Sequence, residues 1–416
     1  MTAVAHNSPA RPGQQTTPWL GVITLGFGIF MMTTMEELPI GVLTLVAEHY
    51  QVANGTVGLG VTVPGFLAGV IAVVAPGLLG KVDRRILLSV ALVMAALSGM
   101  LSAIAPTIEL FLFSRLFVGL ALGVFWSLLG ATVARISRPA DMARALTVAS
   151  SGSGAALVLG IPFATWLGTR FGWQEAFAIC SAIVLITAVA VLFTVPRMRQ
   201  GIPTTMKDTV RAWRIRGVKF SVIFTLLLVT AQFTAYTYAS PILQEQAGMS
   251  VEQVAVGLLA FGVAGICGNF LAGPLIHRNI ARTMMIMTGG ISIALLVLML
   301  VVHNPVTGIL GMLMWGLFAG MISVVTQAWV IQVAPKVTES ANGLNSGAFN
   351  IAIGLGAFVG GQVDASLLRF THIDALAGGT GSVIVVALCG VLVAFAMTMA
   401  VRHVRFPATV RQHPVQ

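Results

Sequence analysis

Long apolar runs separated by short polar stretches occupy nearly all of this 416-residue chain. A helix rising 1.5 Å per residue needs about 20 mostly apolar residues to cross the ~30 Å hydrocarbon core of a bilayer. Twelve segments qualify, at 19–47, 54–79, 86–105, 107–134, 143–168, 174–195, 219–246, 251–276, 283–302, 305–333, 340–367 and 379–401. Transmembrane strands would be about ten residues long with alternating polarity, and nothing here alternates. Prolines inside the runs (Pro39, Pro64, Pro162, Pro241) would break soluble helices but are commoner in membrane ones. The pattern therefore predicts an all-α membrane protein of twelve transmembrane helices.

Composition agrees. Hydrophobic residues make up 57% of the chain and charged residues 9%, against about 25% charged in soluble domains; mean hydropathy is +0.95. A soluble enzyme, a DNA-binding protein and a secreted disulfide scaffold are excluded. The formal charge of +10 sits in short loops, so it calls for no nucleic-acid partner. Of the 23 lysines and arginines, 20 fall on the side of the termini, two (Arg170 and Arg369) opposite, and Arg115 inside a span. By the positive-inside rule both termini are expected in the cytoplasm. The first span is too long for a signal h-region and carries two carboxylates, so it reads as an uncleaved helix. Cys180, Cys267 and Cys389 lie in apolar runs and are expected to be small buried hydrophobes.

The longest polar interruption, Pro196–Lys219, has seven basic residues against Asp208. It divides the chain into a six-helix half at 1–195, a basic cytoplasmic linker at 196–218 and a second six-helix half at 219–416. The halves look duplicated. Ser153-Gly154-Ala155 returns as Ser346-Gly347-Ala348, and Gly119–Gly123 as Gly316–Gly320, at offsets of 193 and 197 residues. A weaker pair joins the basic loop Lys81–Arg85 to His277–Arg282. Transporters are often built from such repeats, with the cargo site near the midplane between them.

These features resemble the major facilitator superfamily, in its twelve-span drug:proton antiporter branch. The loop Gly77-Leu78-Leu79-Gly80-Lys81-Val82-Asp83-Arg84-Arg85 is a shortened form of the family's G-x-L-a-D-R-x-G-R-K. Glu36-Glu37-Leu38-Pro39-Ile40-Gly41-Val42-Leu43 resembles the branch's T-E-F-x-P-V-G-L-L. Arg115 with Gly119 and Phe125-Trp126 resembles its span 4 signature, and Gly160-Ile161-Pro162 with Phe171-Gly172-Trp173 its antiporter motif. Asp83-Arg84-Arg85 of that loop is similar to the variant in bacterial sugar and purine ribonucleoside efflux pumps, and Thr234–Tyr238 and Gly347–Gly354 look closest to the sugar efflux transporters. The resemblance implies two pseudo-symmetric bundles in a bacterial inner membrane, working as a monomer. It implies export of a small polar compound such as a sugar or ribonucleoside, or of a drug, against proton entry, with no cofactor beyond the proton gradient. It makes Asp83, Arg84 and Arg85 a charge latch on a gating loop, Gly154, Gly160 and Pro162 the antiporter motif, and Glu36 the family's acid. Glu37 stands where the family usually has Phe.

Ionisable groups at bilayer depth are functional candidates by default, and here the clear ones are Glu36, Glu37 and Arg115. Helix rise puts Glu36 ~16 Å and Arg115 ~12 Å from the same membrane face, so the two are within a turn of equal depth. Burial favours a protonated carboxylate and a neighbouring cation an ionised one. A group poised between these effects can load a proton on one side and release it on the other. Helical neighbours of Glu37 (Thr33, Thr34, Gly41, Thr44) form the more polar stripe, while the resemblance favours Glu36; either glutamate has a structural alternative as a helix bridge. Candidate cargo contacts are Trp126 in span 4, Gln232, Tyr236 and Tyr238 in span 7, and Asn345 and Asn350 in span 11. Their alternative is glue between helices. Asp83, Arg84 and Arg85 have theirs as topology signals, and the paired glycines read as helix-packing sites. There is no G-x-x-x-x-G-K-[ST] and no H-E-x-x-H, and all seven histidines lie in tails or loops. Proton-coupled efflux is the expectation, with uptake symport, an intramembrane hydrolase and a channel as rivals.

Overall fold

The computed structural model describes residues 16–79, 82–138, 140–198, 206–335, 337–365 and 379–401. Among the described residues twelve helices are long and apolar enough to cross a membrane. They are α1 (Trp19–Gly41), α2 (Asn54–Ala75), α3 (Arg84–Ala103), α4 (Ile108–Ile136), α5 (Arg144–Phe171) and α6 (Trp173–Thr194). The rest are α7 (Arg216–Tyr236), α8 (Val251–Ile276), α9 (Arg278–Leu300), α10 (Pro305–Val333), α11 (Ser340–Val363) and α12 (Thr380–Ala400). Lipid offers a backbone no hydrogen-bond partner, so a crossing segment closes its own N–H and C=O groups as a helix.

Two spans are shorter than the sequence predicts. The first and seventh were expected to run unbroken over 19–47 and 219–246. Instead α1 ends at Gly41 and α7 at Tyr236, and the chain continues as the short helices Leu43–Tyr50 and Ala239–Ala247. A run-length reading does not register such breaks, because the short helices that follow still carry enough apolar residues to extend the run. The residues preceding the short helices, Val42 and Tyr238, are 196 positions apart, which matches the sequence repeat. In α5 the turn Ala156–Gly160 is π-helical and ends two residues before Pro162. Proline removes a hydrogen bond from a regular helix, and a π-turn is one way to absorb that.

Packing repeats as well. Gly119 and Gly123 bring α4 against Pro64 and Ile71 of α2, while Gly316 and Gly320 bring α10 against Phe261 and Gly265 of α8. A Cβ on any of the four would collide with these neighbours. The first six spans meet the last six chiefly where α2 lies along α11 and where α5 meets the helical stretch Val251–Leu300 that forms α8 and α9. The former contact runs from Gly55 on Gly361, through Gly65 on Gly354, to Gly69 on Gly347. Helices in lipid gain no hydrophobic drive from meeting, so close backbone approach through small residues holds them together.

α1 and α7 are the most buried spans and α12 the least. The outer surface carries large apolar side chains such as Phe193 and Phe270. The cysteine expectation needs correction on this point. Cys180 is buried, whereas Cys267 and Cys389 are exposed. A surface facing lipid is as apolar as the core, so apolar surroundings in sequence do not distinguish the two.

Candidate functional site

α1 carries Glu36 and Glu37 a little over one turn before its break, and they are only 4% and 3% exposed. Neither Oε1 of Glu36 nor Oε2 of Glu37 has a hydrogen-bond partner. Arg115 of α4 is fully buried beside them. Its guanidinium meets Glu36 at the backbone rather than at the carboxylate: Nη2 donates to the carbonyls of Glu36 (2.8 Å) and Met35 (3.0 Å). Nε donates across to the carbonyl of Gly60 on α2 (3.0 Å). Phe177 of α6 lies 5.8 Å from the guanidinium carbon, and Nη1 is left unpartnered. The charges of Arg115 and Glu36 still act on one another through space, as do those of Glu36 and Glu37.

α7 supplies the facing wall. Tyr236 is buried, stacks on Phe261 of α8 (centroids 4.7 Å, planes 30° apart) and meets Trp315 of α10 edge-on (5.9 Å, 81°). Its hydroxyl has no partner and lies within the field of Glu37. Ten buried side-chain polar atoms lack a partner among the described residues. Six of them belong to Thr33, Glu36, Glu37, Arg115, Tyr236 and Thr237. Leaving such a group unmade costs about 1–3 kcal/mol. Such a concentration of unpartnered polar groups, where α1, α4 and α7 carry their ionisable groups, makes this the candidate functional site.

Of the other predicted contacts, Gln232, Asn345 and Tyr238 hold helices together. Gln232 Oε1 accepts from Trp315 Nε1 at 2.9 Å, tying α7 to α10. Asn345 Oδ1 accepts from Ser221 Oγ and Thr225 Oγ1, both at 2.9 Å, tying α11 to α7. Asn350 Nδ2 donates to its own helix at Ser346 O. Tyr238 is buried at the α7 break, where Oη donates to the Ala357 carbonyl (2.9 Å) and lies against Gly58 and Gly361. Trp126 is half-buried on α4. Asp83 caps α3, accepting from Arg85 N (2.9 Å) and from Met198 N (3.3 Å), and Arg85 Nη1 donates to Leu192 O (2.8 Å). Arg84 is half-buried in the first turn of α3. Gly160 and Pro162 are buried, with Gly160 packed on Thr34 of α1, while Gly154 is half-buried with open space beside it.

Sequence reasoning missed Phe261, Trp315 and Phe177. It also missed the backbone acceptors of Arg115, for which a signal was present in the prolines four residues after Met35 and Gly60.

The two membrane-facing ends of the bundle differ. At the end away from the termini, Gln244 Nε2 donates to Thr44 Oγ1 across the halves (3.2 Å), and Gly55 abuts Gly361. In the terminus-side halves of the spans, polar side chains are exposed: Ser151, Asn269, Ser323, Gln327 and Ser346. Polar groups exposed at span depth are at home in a water-filled opening rather than against lipid.

The sequence profile of the Major Facilitator Superfamily matches residues 25–361. The chain belongs to that superfamily. Among solved structures of similar fold is a bacterial homologue of the human lysosomal transporter Spinster, inward-facing and unoccupied. It has TM-score 0.71 and 14% identity, covering 93% of this chain and 97% of that one. The nucleoside transporter NupG, in a mutant form, superposes with TM-score 0.70 at 13% identity, over 92% of this chain and all of that one. As a superfamily member the protein is a transporter of small solutes rather than an enzyme, embedded by twelve helices.

Proposed function

We propose that this transporter exports a small polar compound, a sugar or a ribonucleoside, in exchange for protons across a bacterial inner membrane. The observation that carries the reading is the pair of buried carboxylates on α1, each with an unpartnered oxygen. Arg115 of the first half donates to the backbone of Glu36, and the Tyr236 hydroxyl of the second half lies within the electrostatic reach of Glu37. A carboxylate in that position can hold a proton or answer a polar cargo, but not both, and this competition couples the two movements. A ribonucleoside is favoured by the similarity in fold to a nucleoside transporter and by the aromatic faces of Tyr236, Phe261 and Trp315. Alternating access would follow from sliding at the glycine-lined α2–α11 contact and at the contact of α5 with Val251–Leu300. With the termini assigned to the cytoplasm, the polar side chains exposed at that end favour an inward-facing form.

Purified protein in proteoliposomes provides the test. Antiport predicts that an outward-directed ribonucleoside gradient draws protons inward, and that Glu36→Gln abolishes the proton signal. Co-movement of proton and nucleoside in one direction would replace this reading with uptake symport. Cargo-independent conductance would replace it with a channel.

A further inference from the structure

An α-helical N–H bonds to the carbonyl four residues earlier, and proline has no N–H to give. Pro39 therefore deprives the carbonyl of Met35, and Pro64 deprives the carbonyl of Gly60. These two carbonyls, on two different helices, are both acceptors of Arg115: Met35 O from Nη2 at 3.0 Å and Gly60 O from Nε at 3.0 Å. We infer that Pro39 and Pro64 are positioning residues, which open a two-helix carbonyl cradle that holds the Arg115 guanidinium on the backbone beside Glu36.

Three further observations fit. Gly60 lets α4 come close: a Cβ there would stand 3.1 Å from the Phe111 ring and 3.8 Å from Arg115 Cγ. Arginine suits the task because its rigid fork reaches acceptors in different directions, which a lysine ammonium does less well. The second half supplies the internal control. The repeat places Ala235 where the first half has Pro39, and Phe261 takes the place of Pro64 against the paired glycine. Both residues keep the backbone N–H that proline lacks, so the carbonyls four residues earlier stay satisfied within their helices, and the position corresponding to Arg115 is Met312. Where the prolines are absent, so is the arginine.

The consequence bears on coupling, and in this respect it rests on Glu36 being the proton-carrying group. With most of its donors committed to carbonyls, Arg115 influences the Glu36 carboxylate as a fixed nearby charge rather than as a hydrogen-bonded partner. The carboxylate is thus left accessible to a proton or cargo.

A melting cycle tests the cradle independently of transport. Arg115→Met strands two carbonyls and is expected to lower the melting midpoint by about 5–10 °C. In a Pro39→Ala/Pro64→Ala background the restored amides satisfy those carbonyls, so the same change is expected to lower it by no more than about half as much. Folding of the triple variant where Arg115→Met alone fails to fold would be the same result in stronger form. Arg115→Gln, which keeps a donor, repeats the cycle in a milder variant. Pro241→Ala should give no relief, because the carbonyl four residues earlier, of Thr237, is not an acceptor of Arg115. An equal loss from Arg115→Met in every background overturns the inference.

The transport readout uses Pro39→Ala. Proton-driven transport should fall about tenfold while cargo counterflow, which needs no net proton movement, keeps more than half its rate. Unchanged proton-driven transport beside a positive melting cycle would remove the role in coupling and leave the cradle standing.

Discussion

The two halves of this transporter share a scaffold and differ in chemistry. In both, the first helix breaks at a corresponding place, Val42 and Tyr238, and the fourth helix packs on the second through a pair of glycines. On that common frame the first half sets Glu36 against Arg115, while the second sets Gln232 against Trp315. Gln232 lies 196 residues after Glu36 and is its uncharged isostere. The first half thus holds groups that can change charge and have unmet valences. The second holds a neutral pair that is already satisfied. Duplication preserves what helix packing demands, and it leaves the interior polar positions free to specialise.

The largest test of that contrast is the loss of titratable groups. Glu36→Gln/Glu37→Gln removes both buried carboxylates of the first half, and proton-driven transport is expected to fall at least about a hundredfold. Gln232→Leu should reduce it far less, by under tenfold, when both are measured in the same vesicle assay. Next comes stability. Arg115→Met is expected to cost about 3–5 kcal/mol, because it leaves a buried polar network unpartnered. Met312→Leu, at the corresponding position, should cost less than about 1.5 kcal/mol, being nearly volume-conserving. Denaturation in detergent reads the difference, and equal losses would erase the distinction between the halves.

The shared scaffold is tested by symmetry of effect. Gly119→Val and Gly316→Val should each destabilise by about 1–3 kcal/mol through overpacking, and by similar amounts. A large effect in only one half would mean that the glycines do different jobs. Trp315→Phe removes the bond to Gln232 and should lower stability by about 1 kcal/mol. Smallest of all is Asp83→Asn, for which a change below about 0.5 kcal/mol is expected, since asparagine caps helices as well as aspartate. A marked loss of transport without loss of stability would point instead to the latch implied by family resemblance.

Much of this was legible in the residues alone. The spans follow from apolar run length, and the repeat from Gly119–Gly123 and Gly316–Gly320. Glu36, Glu37 and Arg115 stood out because charge at bilayer depth is rare. The cargo candidates were less legible. Gln232 and Asn345 look alike in sequence to any free hydrogen-bonding group, yet both are occupied by side chains 83 and 120–124 residues distant. Tyr236, by contrast, keeps its hydroxyl unpartnered. No spacing rule separates an occupied amide from an open hydroxyl when the partner comes from another helix.

By itself, then, the amino-acid order determined the number of crossings and which side chains are costly to bury. Both are properties of short stretches of chain responding to lipid. Only the folded arrangement decided that Arg115 reaches the carbonyls of Met35 and Gly60, and that the open valences gather between α1, α4 and α7. Those outcomes depend on distances of about 3 Å between helices remote in sequence, and such distances exist only once the helices have packed.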